Sequence, residues 1–150
     1  MPSRRKLIQM TESEIDSFLG SEKILNVATI GPRGWPHVVA MWYGFHDGKI
    51  AFWTYRKSQK IANLRRDNRL TVLVESGESY SQLKGIEIEG RGKIIEDPTT
   101  VLLVGQSIFA RYRDQLEDSS PELFTASAPK RVVVIVEAES MVSWDHSKLD

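Results

Sequence analysis

The chain has 150 residues, 20 Lys and Arg balanced by 20 Asp and Glu, and no Cys. This length favours a single domain over residues 1–150, and the absence of Cys excludes disulfides, thiolate zinc sites, iron–sulfur clusters and cysteine nucleophiles. A net charge of zero argues against general nucleic-acid binding, because counterion release requires a broad basic face.

The sequence also lacks the signals of membrane insertion and export. No segment approaches the roughly 18 apolar residues of a membrane span, and no apolar run of signal-peptide length follows the basic N-terminus. We therefore expect a cytoplasmic protein that binds neither nucleic acid nor membrane.

The first third of the chain predicts one helix and two strands. Thr11 and Glu14 have the spacing of a capping box at the start of the helix, and Gly20 is expected to end it. Residues 24–30 and 37–45 are predicted strands, separated by a turn that contains two Gly and two Pro. The second strand is apolar almost throughout and is therefore expected to be buried on both faces.

The rest of the chain predicts four more strands, which cover residues 49–54, 69–76, 86–96 and 131–144. Asp47 and Gly48 supply a hairpin turn before the first of them, whereas Gly90 and Gly92 predict a bulge or a close backbone approach in the third. Six mostly antiparallel strands need closure or a partner to hide their edges, and a small barrel is the natural solution.

Two more helices and one loop separate these strands. One helix is predicted over residues 58–67 with Ser58 as its N-cap, and a second begins after the cap Asp97 with Pro98 in its first turn. The polar, Pro-containing segment 117–130 is a candidate lid or mobile loop.

The segment AFWTYRKSQKIANLRRDNR, residues 51–69, contains six Lys or Arg and one acid. It is open to three interpretations: the solvated face of a surface helix, a phosphate site, or a small nucleic-acid patch. A phosphate site would form where a strand ends at Thr54 and a helix begins near Ser58, because free N–H groups at a helix start attract anions. Lys57 and Lys60 add charge there. The nucleic-acid patch is the weakest of the three, because no other stretch is basic.

The segment GWPHVVAMWYGFHDGKIAFWTYRKSQKIANLRRDNRLTVLV resembles the flavin-binding split-barrel family that includes pyridoxamine 5′-phosphate oxidase. The shared features are a Gly-x-Pro turn, a hairpin, an aromatic–aromatic–Thr strand end and Ser-x-Lys at a helix start. The later EIEGRGKIIED is similar to the family's Gly-containing strand. The resemblance extends over most of residues 11–144. It implies a mainly β, six-stranded FMN-binding split barrel with short peripheral helices, and a homodimer whose cofactor groove lies between the subunits.

The resemblance also implies which residues hold the cofactor. One strand would run along the isoalloxazine ring and contact it largely through backbone groups: Val38, Val39, Ala40, Met41, Trp42 and Tyr43. The phosphate would be held by Trp53, Thr54, Ser58, Gln59 and Lys60, to which the charge argument adds Lys57. Lys60 is expected to be exposed in the free protein.

Two departures from the oxidases concern their phosphate-binding residues. The oxidases carry an Arg where this chain has Val38 and a Lys where it has Tyr43, so oxidase activity is not expected. NLRRDNR and the C-terminal SWDHSKL resemble instead the actinobacterial branch that uses the deazaflavin coenzyme F-420. That coenzyme has an acidic tail, which would suit the charges of Lys57, Lys60, Arg65 and Arg66.

The resemblance therefore implies an oxidoreductase that moves a hydride between reduced F-420 and a planar conjugated organic substrate. The alternatives are an FMN-dependent oxidoreductase and a non-catalytic flavin- or haem-binding carrier. No catalytic residue is assigned, and the candidates for a proton donor are solvent, Tyr80 and Tyr43.

Three other groups of residues give weaker signals of function. The three histidines, His37, His46 and His146, lack the spacing of metal ligands. The segment WDHS is open to two interpretations, an Asp–His dyad or a structural strand end. We favour the second and expect Trp144 to pack on the barrel and Asp145 to lie with His146 in a solvated terminal turn. Trp35, Trp42 and Trp53 are read either as core residues or as an aromatic wall for a planar ligand.

Overall fold

In the computed structural model, residues 1–116 and 125–149 are described, and this part of the chain forms one antiparallel sheet with short helices around it. The strands are β1 (Leu25–Ile30), β2 (Pro36–Met41), β3 (Gly44–His46), β4 (Lys49–Tyr55), β5 (Arg69–Ser76), β6 (Lys84–Ile95) and β7 (Arg131–Asp145). The α-helices include α1 (Arg4–Leu7), α2 (Glu12–Ser21), α3 (Gln59–Arg66) and α4 (Pro98–Tyr112). The strand order is β2-β1-β5-β6-β7-β4-β3.

The sheet curls into a half-barrel, as its contacts with α3 require. Lys60 of α3 donates to Thr54 of β4 at 2.9 Å, and Asn63 of the same helix donates to Thr29 of β1 at 3.0 Å. Three strands lie between β1 and β4 in the sheet order, so a flat sheet would hold them roughly 19 Å apart. An eight-residue helix reaches about 12 Å, and only a curled sheet brings both strands to it. The prediction of a mainly β split barrel is confirmed.

The core has two layers, one inside the curl and one outside it. The inner layer packs α2 and α3 against the concave face and includes Phe18, Leu19, Leu25, Val27, Phe52, Ile61, Val132 and Val134. The outer layer packs α4 on the convex face and includes Ala51, Val101, Val104, Ile108, Tyr112, Val133 and Ile135. Neighbouring residues of β4 and β7 therefore face different layers, because side chains alternate along a strand.

The predicted strand 37–45 is wrong in two respects. It divides into β2 and β3, because the chain leaves the sheet at Tyr43, whose backbone N–H donates to the Tyr112 hydroxyl at 3.0 Å. Seven strands therefore replace the predicted six among the described residues. In addition, β2 is an edge strand of the sheet, and its side chains alternate between exposed and half-buried positions. Its expected burial on both faces is not found in the subunit.

Local signals in the sequence locate most of the turns and caps correctly. The Thr11–Glu14 capping box forms as predicted, and Asp47 and Gly48 both have positive φ in the hairpin turn. Asp97 caps α4 through the Thr100 N–H at 3.0 Å. Gly20 does not end α2, which continues through Ser21. Of the predicted loop 117–130, residues 117–124 lie outside the described residues.

The C-terminal strand end holds no Asp–His dyad. Asp145 is buried rather than solvated; it accepts from the Ser147 backbone N–H at 3.0 Å and faces Lys84 at 3.5 Å. The ring of His146 instead lies 3.0 Å from the Tyr80 carbonyl oxygen through Nδ1. Trp144 packs against the backbone of Gly85, where a Cβ would overlap its ring. The prediction that Trp144 packs on the barrel is confirmed.

Replacing Tyr112 by Phe is expected to destabilise the fold by about 1–3 kcal/mol. Its buried hydroxyl accepts from the Tyr43 N–H at 3.0 Å and donates to the Lys23 carbonyl at 2.6 Å, so its loss leaves both groups unpaired. Urea unfolding followed by circular dichroism measures the change. Tyr80→Phe is the control, because that side chain is 62% exposed. An equal loss of unfolding free energy in the two variants would contradict the stabilising role of the Tyr112 hydroxyl.

Candidate cofactor site

Thr54, Ser58 and Lys60 place polar groups and excess positive charge at the junction of β4 and α3, and this group of residues is called the anion pocket. After β4 ends at Tyr55, the Ser58 N–H donates to the Tyr55 carbonyl at 3.1 Å, and α3 begins at Gln59. The N–H groups in the first turn of a helix have no partner within the helix, and the helix dipole makes this end positive. The backbone alone therefore favours an anion at this point.

Ser58 occupies the predicted N-cap position of α3 but does not cap the helix. No cap hydrogen bond from its side chain forms. Its Oγ is buried and has no hydrogen-bond partner among the described residues. Burying a hydroxyl without a partner is unfavourable by a few kcal/mol, so this atom marks a place where a ligand oxygen would be accommodated.

Lys60 is buried, which corrects the expectation that it is exposed. Its side chain is only 9% exposed, and Nζ donates to Thr54 Oγ1 at 2.9 Å. No carboxylate among the described residues forms an ion pair with it. Burial lowers the pKa of Lys60, and the positive charge of Arg131 lowers it further. An ammonium group in these surroundings is stabilised by an anion brought to the site.

Arg131, which the sequence analysis did not assign to the site, lies beside this junction. It pairs across strands with Tyr55 and is half-buried. Its guanidinium lies 3.7 Å from the centre of the Tyr55 ring and 4.6 Å from that of Trp53. Burial lowers its pKa as well. Only the register of β4 against β7 reveals this residue, because nothing in the local sequence around position 131 distinguishes it.

Most other charges of the basic segment already have partners within the subunit. Arg65 forms an ion pair with Glu96 at 2.7 Å, and Arg66 donates to the Ile30 carbonyl at 2.5 Å. Lys57 is exposed and forms no ion pair within the described residues. The proposed contact of Arg65 and Arg66 with a cofactor tail would therefore compete with these interactions.

Gln59 and Asn63 connect the start of α3 to the sheet. The Gln59 side-chain amide donates to Asn63 Oδ1 at 2.8 Å, and Asn63 in turn holds Thr29. Asn63 is fully buried, and no local pattern in the sequence distinguishes it. It fixes the direction of α3 rather than facing the anion pocket.

The predicted ring-contact residues lie along the edge strand β2 and the two residues after it. Val38 is 61% exposed, and Ala40 is exposed on the same face, whereas Val39 and Met41 pack inward against the core. Trp42 stacks on the Tyr112 ring, with centroids 4.2 Å apart. This face can contact a ligand through Val38, Ala40 and the unpaired backbone of β2.

Tyr43 lies apart from these residues, in the core. Its hydroxyl donates to the Leu19 carbonyl at 2.6 Å and also contacts the Glu22 carbonyl, and burial raises its pKa to about 12. This environment does not favour Tyr43 as a proton donor. The other candidate, Tyr80, is exposed and packs against His146.

The three Trp residues do not form one wall. Trp35 is exposed in the turn before β2, Trp42 stacks on Tyr112, and Trp53 lies under Arg131.

The described residues contain no group of three His, Asp or Glu side chains that could hold a metal ion. Over the same residues, no helix is long and apolar enough to cross a membrane.

Comparisons with known proteins identify relatives of the chain. The profile of the family described as pyridoxamine 5′-phosphate oxidase matches residues 11–145. The conserved hypothetical protein Rv2991 of Mycobacterium tuberculosis is 42% identical, and its crystal structure has a TM-score of 0.89 over 99% of this chain and 92% of that one. No functionally curated protein matches.

Two more distant structures share the fold. An F420 reductase is 23% identical, with a TM-score of 0.67 over 84% of this chain and 94% of that one. The haem storage protein HutZ of Vibrio cholerae is 15% identical, with a TM-score of 0.67 over 91% of this chain and 97% of that one.

Proposed function

The chain belongs to the pyridoxamine 5′-phosphate oxidase family, and on that premise we propose that it is an oxidoreductase that uses coenzyme F-420 to reduce a planar conjugated organic substrate. The observation that carries the proposal is the anion pocket at the start of α3. There, within the part of the chain that the structure describes, the buried Lys60 has no acidic partner, and the buried hydroxyl of Ser58, two residues earlier, has no hydrogen-bond partner.

The residues present fit a phosphate group. Lys60 would form a charge-assisted hydrogen bond with it, Ser58 would donate its unused hydroxyl, and the first N–H groups of α3 would add further donors. Lys57 would add an exposed charge. A bound deazaflavin supplies the hydride chemistry, and the part of this chain is to hold the phosphate and to present the edge of β2 to the ring.

The position of the Tyr43 side chain favours a substrate different from that of the oxidases. The resemblance places a substrate-binding Lys of the oxidases at the position of Tyr43. Here the Tyr43 side chain points into the core, and its hydroxyl is held by two main-chain carbonyls of α2 and the residue after it. The hydroxyl cannot pair with a substrate phosphate while it keeps these bonds.

An FMN-dependent oxidoreductase is the second candidate, and one observation favours it. FMN has no acidic tail, and the two arginines that would bind the tail of F-420 are already engaged by Glu96 and the Ile30 carbonyl. A non-catalytic carrier is the third, because the fold is shared with a haem storage protein.

Separate titrations with F-420, FMN and haem distinguish these candidates. We expect F-420 to bind most tightly and to be turned over with a conjugated acceptor. Tighter FMN binding would favour the second candidate. Binding without turnover across a panel of planar acceptors would favour the carrier, and binding of none of the three would reject the proposal.

We expect the functional unit to be a homodimer that shares the cofactor groove. Among the described residues, the edge strand β2 has unpaired backbone groups on one side. It also has exposed apolar side chains such as Val38, and a partner typically covers this combination. Sedimentation at micromolar concentration should give about twice 17.1 kDa. Val38→Glu should shift the protein toward monomer, and the matched exposed change Arg5→Glu should not. A monomeric wild type that binds cofactor would contradict the shared groove.

A further inference from the structure

A cavity lies on the convex side of the sheet, between α4 and residues 125–130, which lead into β7. Its volume is about 480 Å³, which is within the range of small-molecule sites. Its wall is mainly apolar and is formed by Pro98, Val101, Leu102, Ala128 and Pro129. Arg56, Glu96 and Arg131 also line it.

The charges of this cavity favour an anion. Glu96 is shared by Arg65 at 2.7 Å and Arg56 at 3.8 Å. Arg131 has no ion-pair partner among the described carboxylates, and its Nε donates to Ser127 Oγ at 3.1 Å. A positive charge therefore remains uncompensated beside an apolar wall.

Arg131 is also held in place before any ligand arrives. Its guanidinium stacks on the rings of Tyr55 and Trp53, which limits its rotamers and keeps one face of the group dry. A cation that is already ordered loses little conformational entropy when it pairs with an anion.

This cavity and the pocket at the start of α3 face opposite sides of β4. Thr54, which Lys60 contacts, is in a strand position that alternates with those of Trp53 and Tyr55. Side chains of neighbouring strand residues point to opposite faces. Arg131, which pairs with Tyr55 across strands, follows the convex side.

We propose that the cavity binds a small apolar molecule with a single anionic group, with the anion paired to Arg131 and the apolar part packed against Pro98 and Leu102 of α4. This site goes beyond the proposed cofactor function and does not depend on it.

The probe for the test is anilinonaphthalene sulfonate, a fluorescent apolar molecule with one negative charge, and N-phenylnaphthylamine serves as its uncharged counterpart. In the full chain, Arg131→Gln should weaken binding of the sulfonate about tenfold or more, because a charge-assisted contact is lost, and should change binding of the uncharged probe less than about twofold. Arg131→Lys should restore part of the difference. Leu102→Trp should abolish binding of both probes by filling the cavity.

Two controls separate this site from other effects. Arg4→Gln removes another arginine that stacks on a tyrosine, at 5.8 Å from the Tyr80 ring, and should leave sulfonate binding unchanged. Lys60→Ala should reduce cofactor binding and change sulfonate binding less than about twofold. Circular dichroism checks that each variant folds. If Leu102→Trp does not fold, Arg131→Gln alone decides the outcome.

Three results would overturn the proposal. They are the absence of saturable sulfonate binding to the wild type, equal effects of Arg131→Gln on both probes, and displacement of the bound sulfonate by saturating FMN or F-420. The last result would assign the cavity to the cofactor. Failure of the protein to bind FMN or F-420 would reject the proposed function and leave the probe experiment interpretable.

Discussion

Replacing Lys60 by Met is expected to weaken binding of the phosphate-bearing cofactor roughly 10- to 150-fold, which corresponds to the loss of one charge-assisted contact. The effect should be large because Lys60 is buried, the one hydrogen bond it forms with a described residue is to the neutral Thr54 hydroxyl, and no described carboxylate competes for it. Fluorescence titration with F-420 and with FMN measures the change. An unchanged affinity in a folded variant would show that the phosphate is held elsewhere.

The exposed lysine Lys6 of α1 supplies the control for charge alone. Lys6→Met removes the same charge from a side chain outside the pocket, so it should leave cofactor affinity within about twofold of the wild type. If both variants lost affinity equally, the effect of Lys60 would be a long-range electrostatic one rather than a contact.

Lys60→Met should also change how the stability of the free protein depends on pH. Burial and Arg131 hold the pKa of Lys60 below its ordinary value of 10.5, so the unfolded chain binds more protons between the lowered and the ordinary pKa. Stability rises with pH wherever the unfolded state binds more protons. The free energy of unfolding of the wild type should therefore rise relative to that of Lys60→Met as the pH approaches 10.5, and the penalty should be fully present at neutral pH. Urea unfolding at several pH values tests this, and parallel curves would contradict it.

Gly90→Ala is expected to destabilise the protein by about 1–3 kcal/mol, whereas Gly20→Ala should stabilise it by about 0.5–1 kcal/mol. At Gly90 a Cβ would overlap the carbonyl oxygen of Glu137 and come within 3.1 Å of the Ala138 Cα. Backbone atoms cannot rotate away, and the register of β6 against β7 shifts at this position. At Gly20, inside α2, an added Cβ would point into open space, with no described atom within 4 Å beyond its chain neighbours and the backbone of the helix itself.

These two substitutions form a matched pair, because each adds one methyl group to a glycine. Urea unfolding of both variants gives the sign and size of each change. Destabilisation by both would mean that Gly20 has a role in α2 that its open surroundings do not reveal. A neutral Gly90→Ala would mean that the bulge between β6 and β7 can relax.

The features predicted correctly from sequence are those set by short-range chemistry. The capping box of Thr11 and Glu14, the hairpin turn at Asp47 and Gly48, and the bulge at Gly90 each depend on a few neighbouring residues. The strand 69–76 has the predicted limits, because alternating side chains are visible in the sequence itself. The predicted helix end at Gly20 is wrong, because a helix can continue through glycine when the following residue still supports it.

The features that the sequence could not supply depend on contacts between distant segments. Lys60 is the type of residue expected on the exposed face of a helix, and it is the packing of α3 against the curled sheet that buries it. Arg131 lies beside Tyr55, on the convex side of β4, through the register of β4 against β7. Tyr43 leaves the sheet because Tyr112 and α2 offer it hydrogen bonds.

The sequence by itself therefore determined the fold class, most of the elements and the location of a basic segment between a strand and a helix. The tertiary structure decided which positive charges of this segment, and of the neighbouring strand β7, are available to bind a ligand. Arg65 and Arg66 are neutralised or bonded within the subunit, whereas Lys60 and Arg131 have no acidic partner among the described residues. The physical reason is that a charge is counted in the sequence, but its compensation depends on which groups the folded chain brings within a few ångströms.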